Sequence, residues 1–153
     1  MDIETKIELI KKPPTEEVIS DKELRELFET KDHPVAYNGF EPSGPMHLGT
    51  GLISAFKIKD FVEAGVHYKI LLADWHAYLN KKMGGDMVKI KKVAEYFKAG
   101  WEALGVKNVE YIHAEDLISK KEYWEMVMKI STKTTLKRIQ RHRSIVDTML
   151  WQA

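Results

Sequence analysis

Apolar residues gather in three short runs along the chain, and longer stretches with a helical rhythm separate them. "PVAYNGF" (34–40) alternates and reads as a first strand. "HYKILLADW" (67–75) is nearly continuous in apolar residues, and predicts a second strand near 69–74 of the kind buried on both faces of a parallel sheet. "NVEYIHA" (108–114) predicts a third. Between the first two, Leu48, Leu52, Ala55, Phe56 and Val62 recur at helical spacing, and Gly65 ends that helix. Between the second and third, the loop "NKKMGGD" leads to Met87, Ile90, Val93, Ala94, Phe97, Trp101 and Leu104, again at helical spacing, with Gly105 past the end. "MGGD" reads as a tight turn with Asp86 as N-cap.

Helical sequence flanks this core. Residues 1–30 read as a helical lead-in, in which Ser20 and Glu23 match a capping box before Leu24, Leu27 and Phe28. Ser119 and Glu122 match a second box, opening helical sequence that runs with one break to the C-terminus. The order βαβαβα implies parallel strands, right-handed crossovers and a Rossmann-like α/β sheet with flanking helices. Residues 1–33 are expected to form the lead-in, and 34–153 the N-terminal half of a Rossmann-type domain. A doubly wound sheet usually has five or six strands, with its ligand at the switch between halves. Three strands make only half of it.

Composition narrows the class. A length of 153 residues suits one domain, and 44% hydrophobic with 10% aromatic residues argues against disorder. The net charge of +1 points to no nucleic-acid or membrane partner in bulk. Without cysteine there is no disulfide, thiolate nucleophile or Cys-based zinc site. The charged start precedes no apolar h-region, and the run "ILLA" is far too short to span a bilayer. A cytoplasmic, soluble domain with no membrane partner is the expectation.

Candidate chemistry concentrates in "YNGFEPSGPMHLGTGL" (37–52). Ligands of open α/β sheets sit outside the carboxyl ends of the strands, where the turn 41–47 falls. A helix opening near His47 would offer free N–H groups and a partial positive charge to phosphates. Gly49 would let a flat ring lie against the backbone, and Ser43 and His47 add donors. Taken singly, Pro-Ser-Gly-Pro is more often a plain turn and such a histidine a helix cap; the composite is far more specific. His76 also follows a strand, where a satisfied core histidine is as good a reading as a ligand contact, and Asp74 is a weaker case. His113 and Asp116 have ligand-like spacing, but one pair is poor evidence for a metal, and no metal site is expected. Lys133, Lys137, Arg138, Arg141, His142 and Arg143 form the one local basic cluster, more often a solvated face than a phosphate-binding one.

"HLGT" (47–50) resembles the HIGH signature of class I aminoacyl-tRNA synthetases. "YNGFEPSGPMHLG" is similar to its version in archaeal and eukaryotic tyrosyl-tRNA synthetases, and the likeness continues through "LLADWHAYLNKKMGGD" (71–86) and "YWEMVMKISTKTTLKRIQR" (123–141). The resemblance implies activation of tyrosine by ATP, with magnesium, to tyrosyl-adenylate, and transfer to tRNA(Tyr) by a homodimeric enzyme. By that likeness Tyr37, Gly39, Glu41 and His76 would bind tyrosine, and Tyr37 would address its phenol. Gly39, Glu41, Ser43, His47, Gly49 and Thr50 would bind ATP, with Ser43 and His47 on the departing pyrophosphate and Gly49 beneath adenine. Ser43, His47 and Thr50 would be the catalytic set. Thr50 stands where the signature has its second histidine, which in the tyrosine branch would touch the ribose; a threonine can still make one hydrogen bond there. "YNGFEPSG" disfavours the tryptophan-specific cousin. The KMSKS-type loop, second Rossmann half and anticodon-binding domain of the family have no counterpart in these residues. A truncated or split catalytic domain is therefore expected. The alternatives are a non-catalytic nucleotide-binding or interaction module of the same fold, and a different nucleotidyltransferase with a HIGH-like motif.

Overall fold

A computed structural model of the chain describes residues 1–135. Two helices lead in, α1 (Ile3–Lys11) and α2 (Asp21–Thr30). Then come β1 (Val35–Phe40), α3 (Ser54–Glu63), β2 (His67–Leu72), α4 (Asp74–Leu79), α5 (Met87–Ala103) and β3 (Val109–His113). The last elements are α6 (Ala114–Ile118) and α7 (Lys121–Ser131). The chain divides after Glu115 into two units, Met1–Glu115 and a second that begins at Asp116. No helix among the described residues is long and apolar enough to cross a membrane.

The three strands are parallel, in the order β1-β2-β3, with Tyr37 beside Lys69 and Lys69 beside Glu110. Strand residues alternate in direction. Ala36 and Phe40 of β1, Tyr68, Ile70 and Leu72 of β2, and Val109 and Tyr111 of β3 meet one core with Ala55 and Ile58 of α3 and Ala94, Phe97 and Trp101 of α5. Both crossover helices thus cover one face. Val35, Tyr37 and Gly39, with Lys69, Leu71 and Glu110, lie on the other, where Val35 is 60% and Tyr37 79% exposed. On that face Glu110 takes contacts from His67 Nε2 at 2.9 Å and Lys69 Nζ at 3.0 Å, and these two partners hold its carboxyl below the usual range. A second cluster, Ile10 and Phe28 with Ala64 and Val66, seats α1 and α2 against the end of α3.

Local chemistry explains most element ends. Ser20 accepts the Glu23 N–H and caps α2, and Asp86 accepts those of Val88 and Lys89 and caps α5. Gly65 and Gly105 adopt positive φ where α3 and α5 stop.

Several expectations are corrected. Strand β2 ends at Leu72, and "ADW" opens the short helix α4 instead of prolonging the strand. Burial along β2 alternates, because α3 and α5 cover only one of its faces. His67 and Lys69 occupy the other. The helix near His47 begins as a π-wound turn, Gly49–Ile53, and becomes α-helical only at Ser54. Leu48 and Phe56, placed on the apolar stripe by spacing, are 69% and 49% exposed, and Ile58 takes the central core position. Ser119 does not cap α7; its hydroxyl donates to the Asp116 carbonyl, and Lys120 holds the cap position without a side-chain bond.

The second unit shows α7 with Tyr123, Trp124, Met126, Val127, Met128 and Ile130 all exposed. Trp124 Nε1 donates to the Ile118 carbonyl at 2.6 Å.

Candidate functional site

The turn between β1 and α3 is held from below. Phe40, the last residue of β1, packs on Trp101 with ring centroids 4.7 Å apart. Pro42 is fully buried. Glu41 accepts a 2.9 Å hydrogen bond from the Asn80 amide, which ties the turn to the end of α4. Asn80 carried no signal in the sequence, because nothing local links it to Glu41.

Met46 acts as a wedge. A Cβ on Gly51 would lie 2.9 Å from the Met46 sulfur, and one on Gly100 would lie 3.1 Å from it. Both glycines thus form a slot for the thioether between the π-turn and α5. We expect Gly51→Ala to destabilise the chain by about 1–3 kcal/mol through overpacking. Gly100→Ala should be milder, since alanine gains about 0.5–1 kcal/mol over glycine inside a helix. Urea denaturation of both variants measures this; an unchanged Gly51→Ala midpoint would show that Met46 leaves its slot freely.

His47 follows the wedge. Its carbonyl accepts the Gly51 N–H at 2.7 Å, the first bond of the helical run, so the amides before Gly51 precede the internal ladder. Its ring lies against Gly49, where a Cβ would come within 3.3 Å of Cε1. The Thr50 N–H donates to Nδ1 at 3.4 Å, and the Thr50 hydroxyl sits 2.8 Å from Nε2. The Thr50 carbonyl accepts from the buried Trp101 Nε1 at 2.9 Å. His47, Gly49 and Thr50 therefore form one contact group. Ser43 is exposed in the turn. The threonine–histidine bond was not legible, because the sequence carries no information on where the hydroxyl turns.

Tyr37 and Gly39 lie on the open face of β1, and a Cβ on Gly39 would meet only the Leu71 methyl, at 3.8 Å. No packing within the described residues requires a glycine there. His76 is exposed on α4, whereas Asp74 is fully buried and faces His113 Nδ1 at 3.3 Å. The other ring nitrogen of His113 lies 3.5 Å from Glu95. His113 thus braces β3, α4 and α5 through carboxylates. Among the described residues, no group of three His, Asp or Glu could hold a metal. Of the basic cluster only Lys133 falls within the described residues; Lys137, Arg138, Arg141, His142 and Arg143 lie outside them.

A parallel sheet with a glycine-rich, histidine-bearing turn after its first strand defines a class. Residues 29–150 match the family described as tRNA synthetases class I (W and Y), and the chain belongs to that family. Its relatives include the tyrosine–tRNA ligase of Pyrococcus horikoshii, 44% identical over 160 aligned positions that take in 100% of this chain and 43% of the relative. Another is the cytoplasmic tyrosine–tRNA ligase 2 of Arabidopsis thaliana, 45% identical over 82% of this chain and 17% of the relative. The crystal structure of tyrosyl-tRNA synthetase from Aeropyrum pernix superposes with a TM-score of 0.86 at 38% identity, covering 92% of this chain and 43% of that one. The Pyrococcus horikoshii enzyme in complex with L-tyrosine gives a TM-score of 0.83 at 43% identity, over 92% of this chain and 40% of that one. The chain spans less than half the length of these archaeal relatives.

Proposed function

We propose that this chain carries the tyrosine- and ATP-binding side of a tyrosine–tRNA ligase, activating tyrosine as the adenylate and passing it to tRNA(Tyr). One juxtaposition carries the reading: the uncovered face of β1, with Tyr37 and Gly39, runs directly into the turn that presents Ser43 and His47. Tyrosine would lie along that face, with Tyr37 at its phenol and Glu41 and His76 nearby. ATP would lie over Gly39, Glu41, Ser43, His47, Gly49 and Thr50, phosphates toward the start of the helical run. Magnesium would enter with the phosphates. We place residues 34–153 in the catalytic half with 1–33 as its lead-in, in a cytoplasmic homodimer.

No covalent enzyme intermediate is required. The tyrosine carboxylate attacks the α-phosphorus, pyrophosphate leaves, and fixed donors around the phosphates stabilise the charge that builds up. A chimera tests the reading, with this chain replacing the matching segment of the Pyrococcus horikoshii enzyme. Tyrosine-dependent ATP–pyrophosphate exchange is expected. A folded chimera that binds neither tyrosine nor ATP would overturn it.

The same chimera tests Tyr37. Tyr37→Phe should lower the preference for tyrosine over phenylalanine about tenfold, because a buried phenol would lose one partner. Unchanged discrimination would assign the phenol to another residue.

A further inference from the structure

Thr50 engages both nitrogens of the His47 ring. Its backbone N–H can only donate, so Nδ1 must accept, and the single proton of the neutral imidazole is then on Nε2. Nε2–H in turn donates to the Thr50 hydroxyl oxygen at 2.8 Å. A hydroxyl has one proton of its own, and with its oxygen accepting from the ring that proton is left to point outward. The threonine is itself fixed by the fully buried indole of Trp101, whose Nε1–H reaches the Thr50 carbonyl at 2.9 Å. The Cε1–Nδ1 edge of the imidazole rests against Gly49.

We propose that Thr50 both positions His47 and itself addresses the phosphate. It locks His47 as the Nε2–H tautomer and hands the hydrogen bond on, so that the threonine hydroxyl presents the outward donor to an anionic phosphate oxygen. The tautomer and the order of the ring stand on geometry alone. The phosphate acceptor rests on the tyrosine-activation reading, and the test separates the two.

The test uses the full chain labelled at histidine, as wild type, Thr50→Val (same shape, no hydroxyl) and Thr50→Ser (hydroxyl kept). Nitrogen-15 NMR should show neutral His47 protonated at Nε2. Carbon relaxation should show an ordered ring in wild type and Thr50→Ser and a looser one in Thr50→Val. Inorganic pyrophosphate, followed through the Thr50 and Gly51 amides, should bind about tenfold or more weakly to Thr50→Val, the loss of a hydrogen bond to a charged group. Thr50→Ser should bind nearly as wild type does. A packing role alone would weaken Ser and Val alike, and that result overturns the proposal. So does an Nδ1–H tautomer, or a mobile wild-type ring with pyrophosphate bound normally. An ordered Nε2–H ring in a wild-type chain that ignores pyrophosphate would refute the outward donor and count against the nucleotide reading, while the lock itself would stand.

Discussion

Trp101→Ala should destabilise the chain by about 3–5 kcal/mol, the range for deleting a buried aromatic ring. A domain of this kind holds about 5–15 kcal/mol in all, so the variant would lose a fifth or more of its stability. The indole is fully buried and touches Phe40, Phe97 and Tyr111, with centroids 4.7, 5.6 and 6.4 Å away. It thereby joins β1, α5 and β3. Burial pushes the Tyr111 hydroxyl up to about 12, so that neighbour stays uncharged across the working range. The indole N–H also holds the Thr50 carbonyl, and Trp101→Phe separates that bond from the packing. The phenylalanine variant should keep most of the core and lose about 1–3 kcal/mol, because the part-buried Thr50 carbonyl loses the indole as a partner. Urea denaturation gives the stabilities, and the Thr50 and Gly51 amide shifts report the turn. If Trp101→Phe left those shifts unmoved, the indole would be a core residue with no hold on the site.

Much of this was legible in the sequence, for identifiable reasons. Ile90, Ala94, Phe97 and Trp101 repeat at helical spacing and are all buried, because α5 is long enough for its period to stand out. Ser20, Asp86, Gly65 and Gly105 act where their chemistry places them. Misreadings arose where tertiary cover decides. The run from His67 looked buried on both faces, yet α3 and α5 lie on one face, so Tyr68, Ile70 and Leu72 are buried and His67 is not. Helix α4 has only six residues, too few to show a period, so its apolar residues run on from the strand before it. The π-wound turn slips the register of Leu48 off the core stripe. The candidate site residues, His76 on α4 apart, sit on two neighbouring features, a strand face and a turn, which one continuous stretch of sequence spans. Their mutual contacts, Thr50 on His47 and Asn80 on Glu41, depend on side-chain direction, which spacing does not encode.

His47→Ala, made in the chimera, should lower the rate of tyrosine-dependent exchange by about 10²–10³-fold, the usual effect of losing one preorganised donor, here the Thr50 hydroxyl that the ring holds in place. The apparent affinity for ATP should change far less. Ground-state phosphates can find water or a neighbouring amide, whereas the five-coordinate phosphorus needs its donors already in place. The Thr50 hydroxyl gets that placement through His47: the wedge of Met46 precedes the ring, Gly49 lies against it, and both of its nitrogens engage Thr50. Alanine would remove the ring and leave the Thr50 hydroxyl without its buttress. The variant should fold normally, since His47 is exposed and stands outside the core clusters. Steady-state kinetics with ATP and tyrosine varied in turn make the distinction. A drop in rate at near-constant KM places the interaction in the transition state. Equal losses in rate and ATP binding would make it uniform binding, and His47 would then be a nucleotide anchor with no share in catalysis.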